Sequence, residues 1–242
     1  MSTGTIYGVG LGPGEPDLLS VRADRLVRNA RHLAFFRKKG RPGQARQIVE
    51  GLLHPATREY PMEYPVTTEI PFADPRYNEL LSAFYTDCAA HLSALARAGE
   101  DIIVLCEGDP FFYGSFMHLH TRLLDQVPVE VIPATTGMSG AWTAVGVPFT
   151  WGDDVLTVLM GTLPDTELNR RVADTDALVV MKIGRQLDRV RNALEAAGKL
   201  SDAWLIEYAT MPNQTVRRLS EVDGNKVPYF SIIIVPGQGR RP

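Results

Sequence analysis

The apolar positions of this chain fall into short blocks with two different periods. Gly4 to Val9, His32-Leu-Ala-Phe-Phe36, Ile102-Ile-Val-Leu-Cys106 and residues 129–132 are short, nearly continuous apolar runs. Such runs, as opposed to alternating ones, mark strands buried on both faces. Between them apolar residues recur at helical spacing, as in Leu18, Leu19, Ala23, Leu26, Val27 and Ala30. The pattern predicts strands at 5–9, 32–36, 102–106 and 129–132, and helices at 17–30, 42–53, 76–98 and 115–125, with Pro16-Asp17 as a helix start. Strand–helix alternation implies a parallel sheet. Pro55, Pro61, Pro65, Pro71 and Pro75 preclude a helix over 54–75 and predict an extended connection. After Gly146–Asp154, read as a linker, apolar runs return at 155–160, 177–183, 203–208 and 230–235, with helical spacing at 165–173 and 186–197. The expected fold class is α/β, with one domain over residues 1–147, a second over 148–242, and a frayed tail at 238–242.

Two predicted strands run into loops rich in glycine and proline. Gly8-Val-Gly-Leu-Gly-Pro-Gly14 follows the first, and Glu107-Gly-Asp-Pro-Phe-Phe-Tyr-Gly114 follows Ile102–Cys106. Pro110 has no N–H, so ladder pairing cannot pass it, and Gly108 lets bare backbone approach a ligand. Open α/β sheets bind ligands at the carboxyl ends of their strands. The first loop is not a P-loop, because Gly-Lys-Ser/Thr is missing. In either register of a dinucleotide fingerprint, Pro13 or Glu15 stands where the third glycine belongs. Arg37-Lys38-Lys39 after the second strand would suit a 2′-phosphate, so an NADP enzyme stays as a minor alternative, beside a loop that only turns the chain.

Composition narrows the classes. The chain has 242 residues, 45% of them hydrophobic, enough for one large or two small domains. No apolar run approaches the roughly 18 residues of a membrane span, and the N-terminus does not read as a signal peptide. Cys88 and Cys106, with no CxxC spacing, read as inert thiols of a reduced cytoplasmic protein. His118 and His120 are two apart on a predicted helix and point to different faces, so no metal site is predicted. The net charge is −3, yet Arg37, Lys38, Lys39, Arg41 and Arg46 cluster in one Gly/Pro-containing loop. Arginine forks suit carboxylate or phosphate. The slightly acidic chain and the lack of interleaved aromatics argue against nucleic acid.

The two glycine loops together, with three later segments in order, carry a family resemblance. Ile132-Pro-Ala-Thr-Thr-Gly-Met-Ser-Gly140, Leu178-Val-Val-Met-Lys182 and Ile206-Glu-Tyr-Ala-Thr-Met-Pro-Asn-Gln214 complete the set. The chain resembles the tetrapyrrole methylases, the class III S-adenosylmethionine (SAM) methyltransferases. Phe36–Arg46 and Tyr60–Glu69 further resemble the branch that methylates C20 of precorrin-2. One departure is Pro133-Ala134, where the family has Pro-Gly. The resemblance implies two α/β domains with a cofactor cleft between them, a homodimer, SAM as methyl donor and a polycarboxylate tetrapyrrole as acceptor. It places Pro13, Gly108, Asp109, Pro110, Tyr113, Thr136, Gly137, Met181, Ala209 and Thr210 at the cofactor. Four of them have a plainer reading beside this one: an Asx-turn for Asp109, a helix cap for Thr136 and Gly137, core packing for Met181. A polycarboxylate acceptor would suit Arg37, Lys38, Lys39 and Arg46, and Glu107 is the carboxylate that could accept a proton.

Overall fold

The computed structural model describes residues 2–67, 69–70 and 74–239. Residues 240–242 of the expected tail, and residues 68 and 71–73 of the expected connection, lie outside the described residues. The chain divides into two compact units, Met1–Thr136 and Gly137–Pro242.

The first unit runs β1 (Ile6–Gly10), α1 (Val21–Arg28), β2 (His32–Lys38), α2 (Gln44–Ile48), β3 (Arg58–Tyr64), α3 (Pro75–Arg97), β4 (Ile102–Cys106), α4 (Phe116–Leu123) and β5 (Val129–Ile132). Its sheet has the order β3-β2-β4-β1-β5, and every pair is parallel. All five residues of β4 are buried, as their continuous apolarity requires. On one face Ile6, Ile102 and Val104 meet Leu92 of α3 and Leu119 of α4. On the other, Val9, Ile103 and Leu105 meet Val27 of α1 and Ile48 of α2. Each such side chain, fully buried, contributes roughly 1.5–3 kcal/mol.

Three boundaries differ from the sequence expectation. The α-helix starts at Val21, because Ser20 caps it by accepting the Ala23 N–H at 3.1 Å, and Pro16–Leu18 form only a separate 3-10 turn. Helix α2 is much shorter than 42–53. The proline-rich connection contains strand β3, with Pro61 in register with Phe35. Proline excludes a helix but is tolerated in an edge strand, where one side of the ladder is open.

After β1 the chain departs toward β2 and β3; after β4 it departs toward β5 on the other side. These two strands are neighbours, so their carboxyl ends flank the topological switch point.

The second unit runs α5 (Gly137–Val145), β6 (Leu156–Met160), α6 (Asp165–Ala173), β7 (Ala177–Met181), α7 (Leu187–Ala196), β8 (Trp204–Glu207), β9 (Thr215–Arg218) and β10 (Ser231–Val235). The sheet order is β6-β7-β10-β8-β9, parallel only between β6 and β7. Ala141 of α5 shares a buried cluster with Val179, Ile206 and Ile234. The helix therefore belongs to this unit, and the division falls at Thr136/Gly137, ahead of the expected 147/148. Strand β9 escaped the sequence reading because Thr-Val-Arg-Arg is a short, largely polar edge.

Candidate functional site

The two glycine loops leave adjacent parallel strands, and their backbones clamp each other. The Leu11 N–H donates to the Cys106 carbonyl at 2.9 Å, and the Gly108 N–H donates to the Gly12 carbonyl at 2.9 Å. A longer return bond from the Gly12 N–H to the Gly108 carbonyl completes an antiparallel bridge. Gly12 and Gly108 have φ of 76° and 64°, which a side chain would oppose. Gly10 is needed for space: a Cβ there would lie 2.6 Å from the Ala134 Cβ and 2.9 Å from the Gly108 carbonyl oxygen. Pro13 and Pro110 are buried beside this clamp.

Asp109 holds the loop together. One carboxylate oxygen accepts the Phe111 N–H at 2.9 Å, the Asx-turn, and the other accepts the Ala134 N–H at 3.0 Å. Asp109 thus ties the loop after β4 to the segment after β5 that carries Thr136. Glu107 accepts the Ala45 N–H at 3.0 Å, near the start of α2. It keeps an exposed surface, yet protein crowds it. The withdrawal of water raises its pKa above the ordinary 4.5, while the Ala45 N–H and its own N–H pull the other way.

Backbone strain marks one residue of this loop and three of the second unit. Four described residues other than glycine have positive φ: Tyr113 (55°), Lys182 (53°), Tyr208 (53°) and Thr210 (64°). Such conformations cost of order 1–3 kcal/mol each and cluster at functional sites. Tyr113 lies in the loop after β4 and is exposed. The other three lie in the second unit, directly after β7 and β8. Strand β10 pairs antiparallel with both, so its start, Ser231, borders both strand ends. One end of that sheet therefore gathers Met181, Ala209 and Thr210. Met181 is half-buried against core side chains, in keeping with its packing role, and Ala209 is buried. The Thr210 N–H donates to the Gln214 side-chain oxygen at 2.6 Å. Gly137 is not a tight position: a Cβ there would reach only Ile232, at 3.8 Å.

The basic loop departs from expectation. Arg37 donates to Glu63 at 2.7 and 3.0 Å, Arg46 grips Glu59 with two bonds of 2.7 and 2.9 Å, and Lys38 pairs with Glu69. Three of the four cations expected to meet substrate carboxylates are thus neutralised within the chain. Glu59 holds the Arg46 pKa above its ordinary value. Lys39 is exposed and makes no ion pair among the described residues. The acids were visible in the sequence. What hid the pairs was the register, which sets Arg37 directly opposite Glu63.

The sequence pattern of the tetrapyrrole (corrin/porphyrin) methylases matches residues 5–223. The chain belongs to that family. A relative, the precorrin-2 C(20)-methyltransferase of a Sinorhizobium species, is 49% identical over 242 residues, covering 100% of this chain and 99% of its own. The cobalt-precorrin-2 C(20)-methyltransferase of Salmonella typhimurium is 30% identical, with 97% of each chain covered. Among solved structures, the cobalt precorrin-4 methyltransferase CbiF superposes with a TM-score of 0.72 at 19% identity, over 96% of this chain and 94% of that one. The uroporphyrin-III C-methyltransferase of Thermus thermophilus, complexed with S-adenosylhomocysteine, gives 0.66 at 24%, over 96% and 92%.

Two further features of this tetrapyrrole methylase bear on its chemistry. Among the described residues no group of three or more His, Cys, Asp or Glu side chains is placed to hold a metal ion. Burial pushes the Cys88 thiol up to about 11 and the Cys106 thiol well above its usual range, so neither is primed as a nucleophile. Ser115 carries no motif signal in the sequence and stands where a helix cap would be expected. Its hydroxyl makes no cap bond and instead meets two tyrosines.

Proposed function

We propose that the chain transfers a methyl group from SAM to C20 of precorrin-2, giving precorrin-3A in cobalamin biosynthesis. The observation that carries this reading is the 49% identity, end to end, with the Sinorhizobium precorrin-2 C(20)-methyltransferase. SAM supplies a methyl group that is already activated. The protein's part is to hold both reactants in line and exclude water, which can supply roughly 7–11 kcal/mol of the barrier.

The loops fit that task. Gly12 and Gly108 bridge the two loops at the switch point, and the strained Tyr113 lies in the second of them. In this reading Pro13, Gly108, Pro110, Tyr113, Thr136 and Gly137 contact the donor, as do Met181, Ala209 and Thr210 of the second unit. Asp109 contributes by shaping the loop, since both its oxygens hold backbone N–H groups. Glu107 takes up the proton that C20 releases; a carboxyl with a raised pKa is the better proton acceptor. The acceptor's carboxylates would find Lys39 more readily than Arg37, Lys38 or Arg46, which are already paired. A homodimer and a cytoplasmic location belong to the same reading, to be tested by light scattering and cell fractionation.

A second acceptor, the cobalt-loaded macrocycle, is favoured by the 30% identity with the Salmonella enzyme. The test is mass spectrometry after anaerobic incubation with SAM and either macrocycle. One added methyl on the metal-free form, with S-adenosylhomocysteine released, is the expected result. Transfer to the cobalt form alone would move the assignment to the second acceptor, and transfer to neither would discard both.

A further inference from the structure

Ser115 stands at the start of α4, two residues after the strained Tyr113. A serine there would ordinarily cap its own helix. Here its hydroxyl meets the Tyr64 hydroxyl at 2.5 Å and accepts the Tyr85 hydroxyl at 3.2 Å. Tyr64 is the last residue of edge strand β3, and Tyr85 is a buried residue of α3. Phe36 stacks on Tyr64 at 5.5 Å, and His118 stacks on Tyr85 at 4.6 Å, so both phenols are fixed from behind.

The loop 107–114 is therefore anchored at both ends. At its start the Gly12–Gly108 bridge and the Asp109 bonds hold it; at its end the three hydroxyls do. A non-glycine residue persists at φ of 55° only where its surroundings over-determine it. The bridge at the start is made of backbone groups and has no side chain to truncate. The closing anchor is three side chains.

We infer that Ser115, with Tyr64 and Tyr85, is a positioning residue that holds the Tyr113 segment in its donor-binding conformation. This rests on the reading of that loop as a SAM site. The hydroxyls act through the loop, not by touching the reactants. They should therefore govern donor affinity, with little effect on turnover once the donor is saturating.

The test is calorimetric titration of the whole protein with SAM and with S-adenosylhomocysteine, beside thermal melts and steady-state kinetics. Ser115→Ala should weaken both ligands about fivefold, the scale of one lost hydrogen bond, and raise KM for SAM with kcat nearly kept. Ser115→Thr, which restores the hydroxyl, should recover affinity. Should Ser115→Ala fail to fold, Tyr64→Phe, which keeps the Ser115–Tyr85 bond, should show the same direction. Affinity within about twofold of wild type in the folded variant, or a threonine variant no better than alanine, overturns the inference. Wild-type protein that binds neither ligand would instead refute the SAM reading itself, and the inference with it.

Discussion

The loops after β1 and β4 and the basic loop after β2 leave the same end of one parallel sheet, yet different chemistry holds them. The first pair is joined by backbone. Gly12 bridges Gly108, Gly10 admits no Cβ, and Asp109 takes up two backbone N–H groups. The basic stretch is joined by side chains: Arg37 and Lys38 at the end of β2 and Arg46 in α2 each lie on a glutamate of β3 or the segment beyond it. A backbone clamp consumes the peptide groups it joins but leaves side chains to meet a ligand. A set of ion pairs uses up the charge that would have drawn one. Of the four cations singled out in the sequence, three are thus matched by glutamates within the chain.

The sharpest way to break this contrast is Gly10→Val. The new side chain must displace Ala134, the Gly108 carbonyl or Pro110, all within 2.9 Å of the new Cβ. We expect abolished methyl transfer and a loss of about 1–3 kcal/mol in urea unfolding. Near-normal activity would mean that the clamp does not shape the site.

Glu107→Gln comes next, with turnover expected to fall at least about tenfold if the carboxylate takes the C20 proton. A change within about twofold would remove that role and leave Glu107 as the partner of the Ala45 N–H. The same variant carries a pH signature. A carboxyl whose pKa is raised on folding favours the native state while protonated. Its contribution is whole below the unfolded value, near 4.5, and is lost as pH rises through the higher folded value. Chemical unfolding across that window should therefore be flatter with pH in Glu107→Gln than in wild type.

Tyr113→Gly separates strain from use. Glycine adopts φ of 55° freely, so relief of strain offsets the greater freedom of its unfolded chain, and stability should change by less than about 1 kcal/mol. KM for SAM should rise several-fold; an unchanged KM would show that the tyrosine serves the fold alone.

The smallest effect is expected from Arg46→Ala. Its pair with Glu59 is partly exposed, so stability should fall by no more than about 1 kcal/mol and KM for the acceptor should move less than about twofold. A tenfold rise in that KM would reverse the contrast and restore the basic loop as a substrate site.

Much of the fold was legible in the chain itself. Continuous apolar runs located β4, β7 and β10 because burial on both faces leaves little room for polar residues. Glycine and proline marked the loops after β1 and β4, since each constrains its own backbone whatever lies around it. Helix α5, by contrast, precedes the linker in sequence but packs against β7, β8 and β10, all of them beyond it, so its unit could be known only from its contacts.

The sequence by itself determined the alternation of strands and helices, the two glycine loops and the family. These depend on residue type and local spacing, which survive without knowledge of any partner. Only the tertiary structure decided that Asp109 is spent on backbone, that Arg37, Lys38 and Arg46 are already paired, and that Ser115 meets Tyr64 and Tyr85. Those outcomes depend on which residues register and packing bring within hydrogen-bond reach, and the partners lie up to 51 positions apart in the chain.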